Sequence, residues 1–235
     1  MKILFDFSPN YSRKSRSKKD IKFVIIHYTG MQSEIESIKR LKNPRHKVSC
    51  HYLINRKGQI IQMIKDLNVA WHAGKSKWKK FVNLNNISLG IELVNKGHQY
   101  GYQNFSVKQI NSLIKLSQKL KKRYLIKKEN FLGHSDIAPL RKNDPGEKFP
   151  WKKLSKYNLG KWYKNKQNKV EFDQKKSQFL FFKNLKKLGY GYFSLNKRNS
   201  KDKKIIRSFQ QHYSPNNVTG KIDQKTFKIS QFLVH

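Results

Sequence analysis

The chain has 235 residues, 37% hydrophobic and 13% aromatic, enough to bury the core of one sizeable domain plus a small one and too apolar for wholesale disorder. Its single cysteine, Cys50, excludes an internal disulfide and a multi-cysteine metal site. With 52 Lys and Arg against 14 Asp and Glu, the net charge of +38 either suits an anionic partner or reflects a Lys- and Asn-rich proteome, and it bears on association rather than on fold.

Residues 1–20 end in the basic, Ser-rich run from Ser12 to Lys19 and read as a solvated approach segment. Met1 to Phe7 is too short and interrupted to be the apolar centre of a signal peptide, and Cys50 lies too far in for an N-terminal lipid anchor. No apolar run approaches the length of a membrane span, so the expectation is a soluble, cytoplasmic protein. Ile21 to His27 is β-branched and aromatic and predicts a buried strand with His27 at its end, where active-site groups of α/β folds commonly lie. Ser33 to Leu41 carries Ile35, Ile38 and Leu41 at helical spacing, with Ser33 as cap. His51 to Asn55 and Gln59 to Ile64 flank Arg56-Lys57-Gly58 as a hairpin.

Ile87 to Val94 is a strand pattern interrupted by the charge of Glu92. Ser106 to Tyr124 predicts an amphipathic helix capped by Ser106, its face built from Val107, Ile110, Leu113, Ile114, Leu116 and Leu120. Gly133 to Gly146 holds two prolines and two glycines around His134, Lys142 and Asp144, so it reads as a rigid loop, with Asp144-Pro145-Gly146 a turn able to aim its carboxylate back toward His134. From Lys152 to Gln174 the period is lost, which marks a linker region. Three helices then fit over Gln174 to Leu188, Lys203 to His212 and Asp223 to Leu233. The pattern predicts a mixed central β-sheet flanked by helices, an α/β fold, followed by a small all-α three-helix unit.

Two imidazoles and a carboxylate, His27, His134 and Asp144, would make the three-ligand, open form of a catalytic metal site. Spacing alone does not connect residues so far apart. Five segments do: Val24 to Thr29, Val48 to Ile54, Ala70 to Gly74, Ser88 to Leu93, and Gly133 to Pro139 continuing through Lys142 to Gly146 and Phe149 to Trp151. In that order the chain resembles the zinc-dependent N-acetylmuramoyl-L-alanine amidases of the type 2 family, relatives of the peptidoglycan recognition proteins.

The resemblance implies that His27, His134 and Asp144 bind Zn²⁺. It implies that Glu92 takes the proton of the attacking water, that Lys142 steadies the oxyanion, and that Trp71 and His72 line the substrate groove. A carboxylate within an apolar strand has the raised pKa a general base needs, and a fixed cation stabilises a tetrahedral oxyanion. Some phage relatives use a tyrosine near the Cys50 position; no role carries over to the cysteine. His46, His51, His98, His212 and His235 read as structural or surface groups. The tail, with Arg207, Phe209, Gln210, Gly220, Asp223 and Thr226, resembles a peptidoglycan-binding helical module.

The implied division is a basic segment at 1–20, an amidase domain at 21–160, a linker at 161–174 and a peptidoglycan-binding domain at 175–235. The implied function is hydrolysis of the amide between N-acetylmuramic acid and L-alanine in peptidoglycan or anhydro-muropeptides, by a monomer with no transmembrane segment. Two other readings compete with it. A non-catalytic peptidoglycan-binding protein on the same fold is disfavoured by the complete ligand set. A nucleic-acid-binding protein is supported by the charge alone, and no nucleic-acid-binding motif accompanies it.

Overall fold

The computed structural model describes residues 2–12, 15–164 and 171–234. Arg13 and Lys14 of the basic run, residues 165–170 of the expected linker, and His235 lie outside the described residues. Among the described residues the chain forms ten strands and seven α-helices. The strands are β1 (Ile3–Phe5), β2 (Tyr11–Ser12), β3 (Phe23–Tyr28), β4 (Tyr52–Ile54), β5 (Ile60–Gln62), β6 (Val69–Ala70), β7 (Lys77–Trp78), β8 (Phe81–Val82), β9 (Ser88–Leu93) and β10 (Phe131–Gly133). The helices are α1 (Glu34–Lys42), α2 (Val107–Tyr124), α3 (His134–Ile137), α4 (Trp151–Ser155), α5 (Gln174–Leu188), α6 (Asp202–Tyr213) and α7 (Gln224–Val234).

Six strands form one mixed sheet in the order β1-β5-β4-β9-β3-β10. Only the β4–β5 hairpin within it is antiparallel; the other pairings run parallel. The expected hairpin, the strand around Ile87 to Val94 and both capped helices form as read, with the Ser33 hydroxyl accepting from Glu36 N and the Ser106 hydroxyl from Gln109 N, each at 3.1 Å. Among the described residues no helix is long and apolar enough to cross a membrane.

Strand alternation gives the sheet two apolar faces, and the buried residues gather in two large clusters and a smaller one of Leu41, Cys50, Leu53, Ile61, Met63 and Val94. Val24, Ile26, Leu89, Ile91 and Leu93 face α2 and pack on its Ile110, Leu113, Ile114, Leu116 and Leu120. Phe23, Ile25 and Leu132 face the other way and pack with Phe181, Phe182 and Leu185 of α5, Ile205 and Phe209 of α6, and Phe227 and Leu233 of α7. The C-terminal helices therefore share one apolar core with the back of the sheet. Gly189, which ends α5 at φ 130°, brings its backbone so close to Trp78 that an added Cβ would lie 2.6 Å from the indole.

Three expectations change. The solvated approach expected at 1–20 holds only in part: Ser15 and Ser17 to Lys19 are exposed, but β1 adds a parallel edge strand, Ile3 opposite Ile60, and the Arg16 guanidinium is buried, donating to the carbonyls of Asp66 and Asn85. A basic run looks solvated when its acceptors lie fifty or more residues away. Ile35 and Val107, placed on apolar faces by periodicity, are exposed; each sits in the first turn of its helix, ahead of the residues that the helix buries.

Candidate metal centre and catalytic groove

Parallel pairing of β3 with β10 sets Gly133 opposite Ile26, and so delivers His134, the next residue, beside His27. The turn after α3 then folds back: Ser135 N donates to the Asp144 carbonyl at 2.8 Å, and the Tyr102 hydroxyl donates to the Pro145 carbonyl at 2.5 Å. His27, His134 and Asp144 are all buried, and their ligand atoms lie within 4.8 Å of one another, an arrangement that can hold a metal ion. His27 Nδ1 lies 3.0 Å from His134 Nδ1 and 2.9 Å from Asp144 Oδ2, and His134 Nδ1 lies 3.1 Å from the same oxygen.

The hydrogen bonds around the three side chains fix what the donor set can hold. His134 Nε2 lies 3.1 Å from the Ala73 carbonyl, which only accepts, and the Arg141 NH2 group 3.3 Å away spends its two hydrogens on the Ala73 and Lys75 carbonyls, so the proton of the neutral ring sits on Nε2 and Nδ1 is bare. A bare nitrogen and a carboxylate oxygen thus face each other in a buried site, an arrangement that a cation stabilises. Burial works against the charge of Asp144, yet His134 and His27 beside it hold the carboxyl well below the usual range. Burial, reinforced by the neighbouring His134, lowers His27 to about 4, against the pull of Asp144.

Glu92 pairs with His27 across the β3–β9 register, so both side chains leave the same face of the sheet. Its Oε2 is shielded from water and has no hydrogen-bond partner among the described residues. Burial raises its pKa to about 8, with the charge of Asp144 adding to the effect and that of Lys142 opposing it. Lys142 borders the same groove and is close enough to act on both Glu92 and His27. Cys50 lies behind this floor, fully buried against Met63 at 3.8 Å, its thiol pushed up by burial and then by Glu92. It is unsuited to nucleophilic work.

A groove of about 640 Å³ opens over these residues, walled by Tyr28, His98, Tyr100 and Trp71 and edged by Arg40 and Arg141. Trp71 reaches it with its indole N–H donating to Ser12 Oγ at 3.0 Å. His72 touches the groove too, but both its ring nitrogens are engaged inward, Nδ1 at 3.0 Å from His27 Nε2 and Nε2 at 3.2 Å from Ser88 Oγ. His51 and His212, read as structural, are buried; His51 Nδ1 accepts from Gly90 N at 3.0 Å, and His212 Nδ1 donates to Asp136 at 2.8 Å. His46 is exposed, as expected. Sequence reasoning passed over Ser88, Arg141, Asp136 and the wall residues Tyr28 and Tyr100, and read His98, which stands beside them, as a structural or surface group. Only Asp136 carried a signal, standing two residues after His134 in the loop already singled out.

In the tail, the residues of the helical-module pattern bind one another. Gln210 donates to the Lys221 carbonyl and Thr226 Oγ1 and accepts from Gly220 N, Arg207 donates to the Val218 carbonyl, and Asp223 caps α7 through Thr226 N. They build the turn between α6 and α7.

Residues 17–147 match the sequence pattern of the N-acetylmuramoyl-L-alanine amidase family. The chain is 33% identical over 233 residues to N-acetylmuramoyl-L-alanine amidase AmiD of Escherichia coli, covering 91% of this chain and 82% of that one. Its fold matches that of E. coli AmiD in complex with the substrate anhydro-N-acetylmuramic acid-L-Ala-D-gamma-Glu-L-Lys, with a TM-score of 0.79 at 30% identity over 96% of this chain and 92% of that one. It also matches AmpDh3 of Pseudomonas aeruginosa in complex with anhydromuramic pentapeptide, with a TM-score of 0.81 at 28% identity over 96% and 95% of the two chains.

Proposed function

The chain belongs to the N-acetylmuramoyl-L-alanine amidase family, whose members hydrolyse the amide joining N-acetylmuramic acid to L-alanine, and from that premise we propose that it does so as a zinc enzyme acting on anhydro-muropeptides. One observation carries the metal: two buried acceptors, His134 Nδ1 and Asp144 Oδ2, face each other at 3.1 Å with His27 Nδ1 beside them. Three such ligands suit zinc with an open fourth position. Bound there, zinc would polarise the scissile carbonyl and lower the pKa of water to about 7.

The chain's own groups supply the rest of the reading. Glu92, with an unpartnered oxygen and a raised proton affinity, accepts the proton of the attacking water and passes it to the amine leaving with L-alanine. Lys142 offsets the charge that grows on the carbonyl oxygen as the carbon becomes tetrahedral. Trp71 and the aromatic wall hold the muropeptide, and Arg40 and Arg141 give a positive rim suited to stem-peptide carboxylates. Residues 175–235 keep the peptidoglycan-binding role suggested by their pattern, with glycan contact falling to their outer surface because the pattern residues are occupied internally. The protein works as a monomer on fragments inside the cell, a location in keeping with its single, buried cysteine.

The test is digestion of purified anhydro-muropeptides, followed by mass spectrometry. Peptide release should stop on chelation and return with zinc. Release unchanged by chelation would remove zinc from the reading. A protein that binds sacculi yet releases nothing, with or without zinc, would be a binding module instead.

A further inference from the structure

The inner face of the groove contains a chain of hydrogen bonds that determines which nitrogen of His27 carries a proton. It begins at Ser88. The Ser88 hydroxyl lies 2.6 Å from the Leu84 carbonyl, which can only accept, so its one proton points there. Its lone pairs then face His72 Nε2 at 3.2 Å, which makes Nε2 the protonated nitrogen of His72 and leaves Nδ1 as an acceptor. That acceptor stands 3.0 Å from His27 Nε2. His27 therefore donates from Nε2, and its Nδ1 stands as an acceptor facing the Asp144 carboxylate at 2.9 Å and His134 Nδ1 at 3.0 Å, lone pairs that a cation between them would reconcile.

The fold makes room for this chain. An added Cβ at Gly90, in the middle of β9, would lie 2.4 Å from His72 Cγ, so the imidazole lies flat against a strand that must be glycine at that point. Asn85 Oδ1 fixes the backbone beneath, accepting from His72 N at 3.1 Å and from Ala73 N at 2.7 Å. His51 closes the far side edge-on, its ring centroid 5.6 Å from that of His72.

We propose that His72 and Ser88 are positioning residues for His27: Ser88 fixes the direction of His72, and His72 holds the His27 proton on Nε2 so that Nδ1 is presented bare to the metal. This rests on the metal reading above and gives His72 a role behind the ligand instead of on the substrate. Groups that orient a metal-ligating histidine through its second nitrogen typically change metal affinity by roughly tenfold to a hundredfold when removed.

The test uses the full chain as wild type, Ser88→Ala, His72→Leu and His72→Asn. Metal-free protein is examined by ¹⁵N NMR of the imidazoles, and zinc affinity is measured by competition with a chromophoric chelator. The wild type should show His27 protonated at Nε2. Ser88→Ala and His72→Leu should lose roughly tenfold to a hundredfold in zinc affinity. His72→Asn should retain affinity within a few-fold, because the asparagine oxygen takes the place of Nδ1 as acceptor. His27 protonated at Nδ1 in the wild type would overturn the proposal. So would variants that melt earlier yet bind zinc as the wild type does, which is the signature of a merely structural role. A wild type that binds no zinc would overturn the metal reading along with this one, whereas a zinc-binding wild type with unaffected variants would overturn this one alone.

Discussion

Replacing Asp136 by alanine tests whether the C-terminal helices and the metal loop are one mechanical unit. Asp136 is 1% exposed and sits in α3, two residues after His134. Its Oδ1 accepts from the Tyr190 hydroxyl at 2.6 Å, and its Oδ2 accepts from His212 Nδ1 at 2.8 Å and from Gly133 N at 2.7 Å. Alanine leaves three buried donors without an acceptor. Each orphaned group costs about 1–3 kcal/mol, and water entering the vacated space recovers part of that, so the expected loss is about 3–5 kcal/mol. That is a large share of the ~5–15 kcal/mol typical of a domain. Denaturant unfolding of metal-free protein measures the loss, and hydrogen exchange locates it. Protection should fall together in α3 and α6, since Ser208 Oγ also donates to the Ser135 carbonyl at 2.8 Å. A double-mutant cycle with His212→Phe should return a coupling of about 1 kcal/mol or more, within the range for contacting residues. A loss below about 1 kcal/mol, the usual net worth of one neutral hydrogen bond, would refute the reasoning.

Glu92→Gln should bind zinc normally yet lower the rate of peptide release by about 10²–10⁴-fold, the usual contribution of a positioned acid–base group, as read by kcat on anhydro-muropeptide. Lys142→Met should lower kcat by about 10²-fold or more with little change in metal affinity, if its charge acts on the oxyanion alone. Stability of the metal-free protein should also fall between pH 6.5 and 8. Glu92 is raised from 4.5 to about 8, so its contribution is complete below pH 4.5 and is lost as pH rises through 8. His27 is lowered from 6.5 to about 4, so its contribution is already complete above pH 6.5 and falls away only toward acid. Over the 1.5 units left to Glu92 the fall should be about 2 kcal/mol, and Glu92→Gln should flatten it; a flat wild-type profile would contradict the raised carboxyl.

How far the sequence revealed these features depended on how local their causes are. The strand ending at His27 and the capped helices at Ser33 and Ser106 were legible because periodicity and capping act within a few residues. The convergence of His27, His134 and Asp144 was legible only through the resemblance, since parallel register across more than a hundred residues leaves no trace in spacing. β1 was missed because a three-residue edge strand gets its reason to form from Ile60 to Gln62, far along the chain. Burial of Arg16 was missed for the same reason. The role of Ser88 could not be read at all: a serine opening a strand carries no signal until Leu84 and His72 are seen on either side of it.

The core shared between the back of the sheet and α5–α7 bears on how this protein evolves and how it can be rearranged. Sequence comparison would draw a seam near residue 161 and treat the C-terminal helices as exchangeable. Yet a replacement partner would have to reproduce a fitted apolar surface over Phe23, Ile25 and Leu132 and offer donors to a buried aspartate, whatever the length of the connection. Recombination at the seam should therefore yield few working chimeras. A genetic screen for lost amidase activity should return lesions in Phe181, Phe209 and His212, remote from the groove, alongside those in the groove itself.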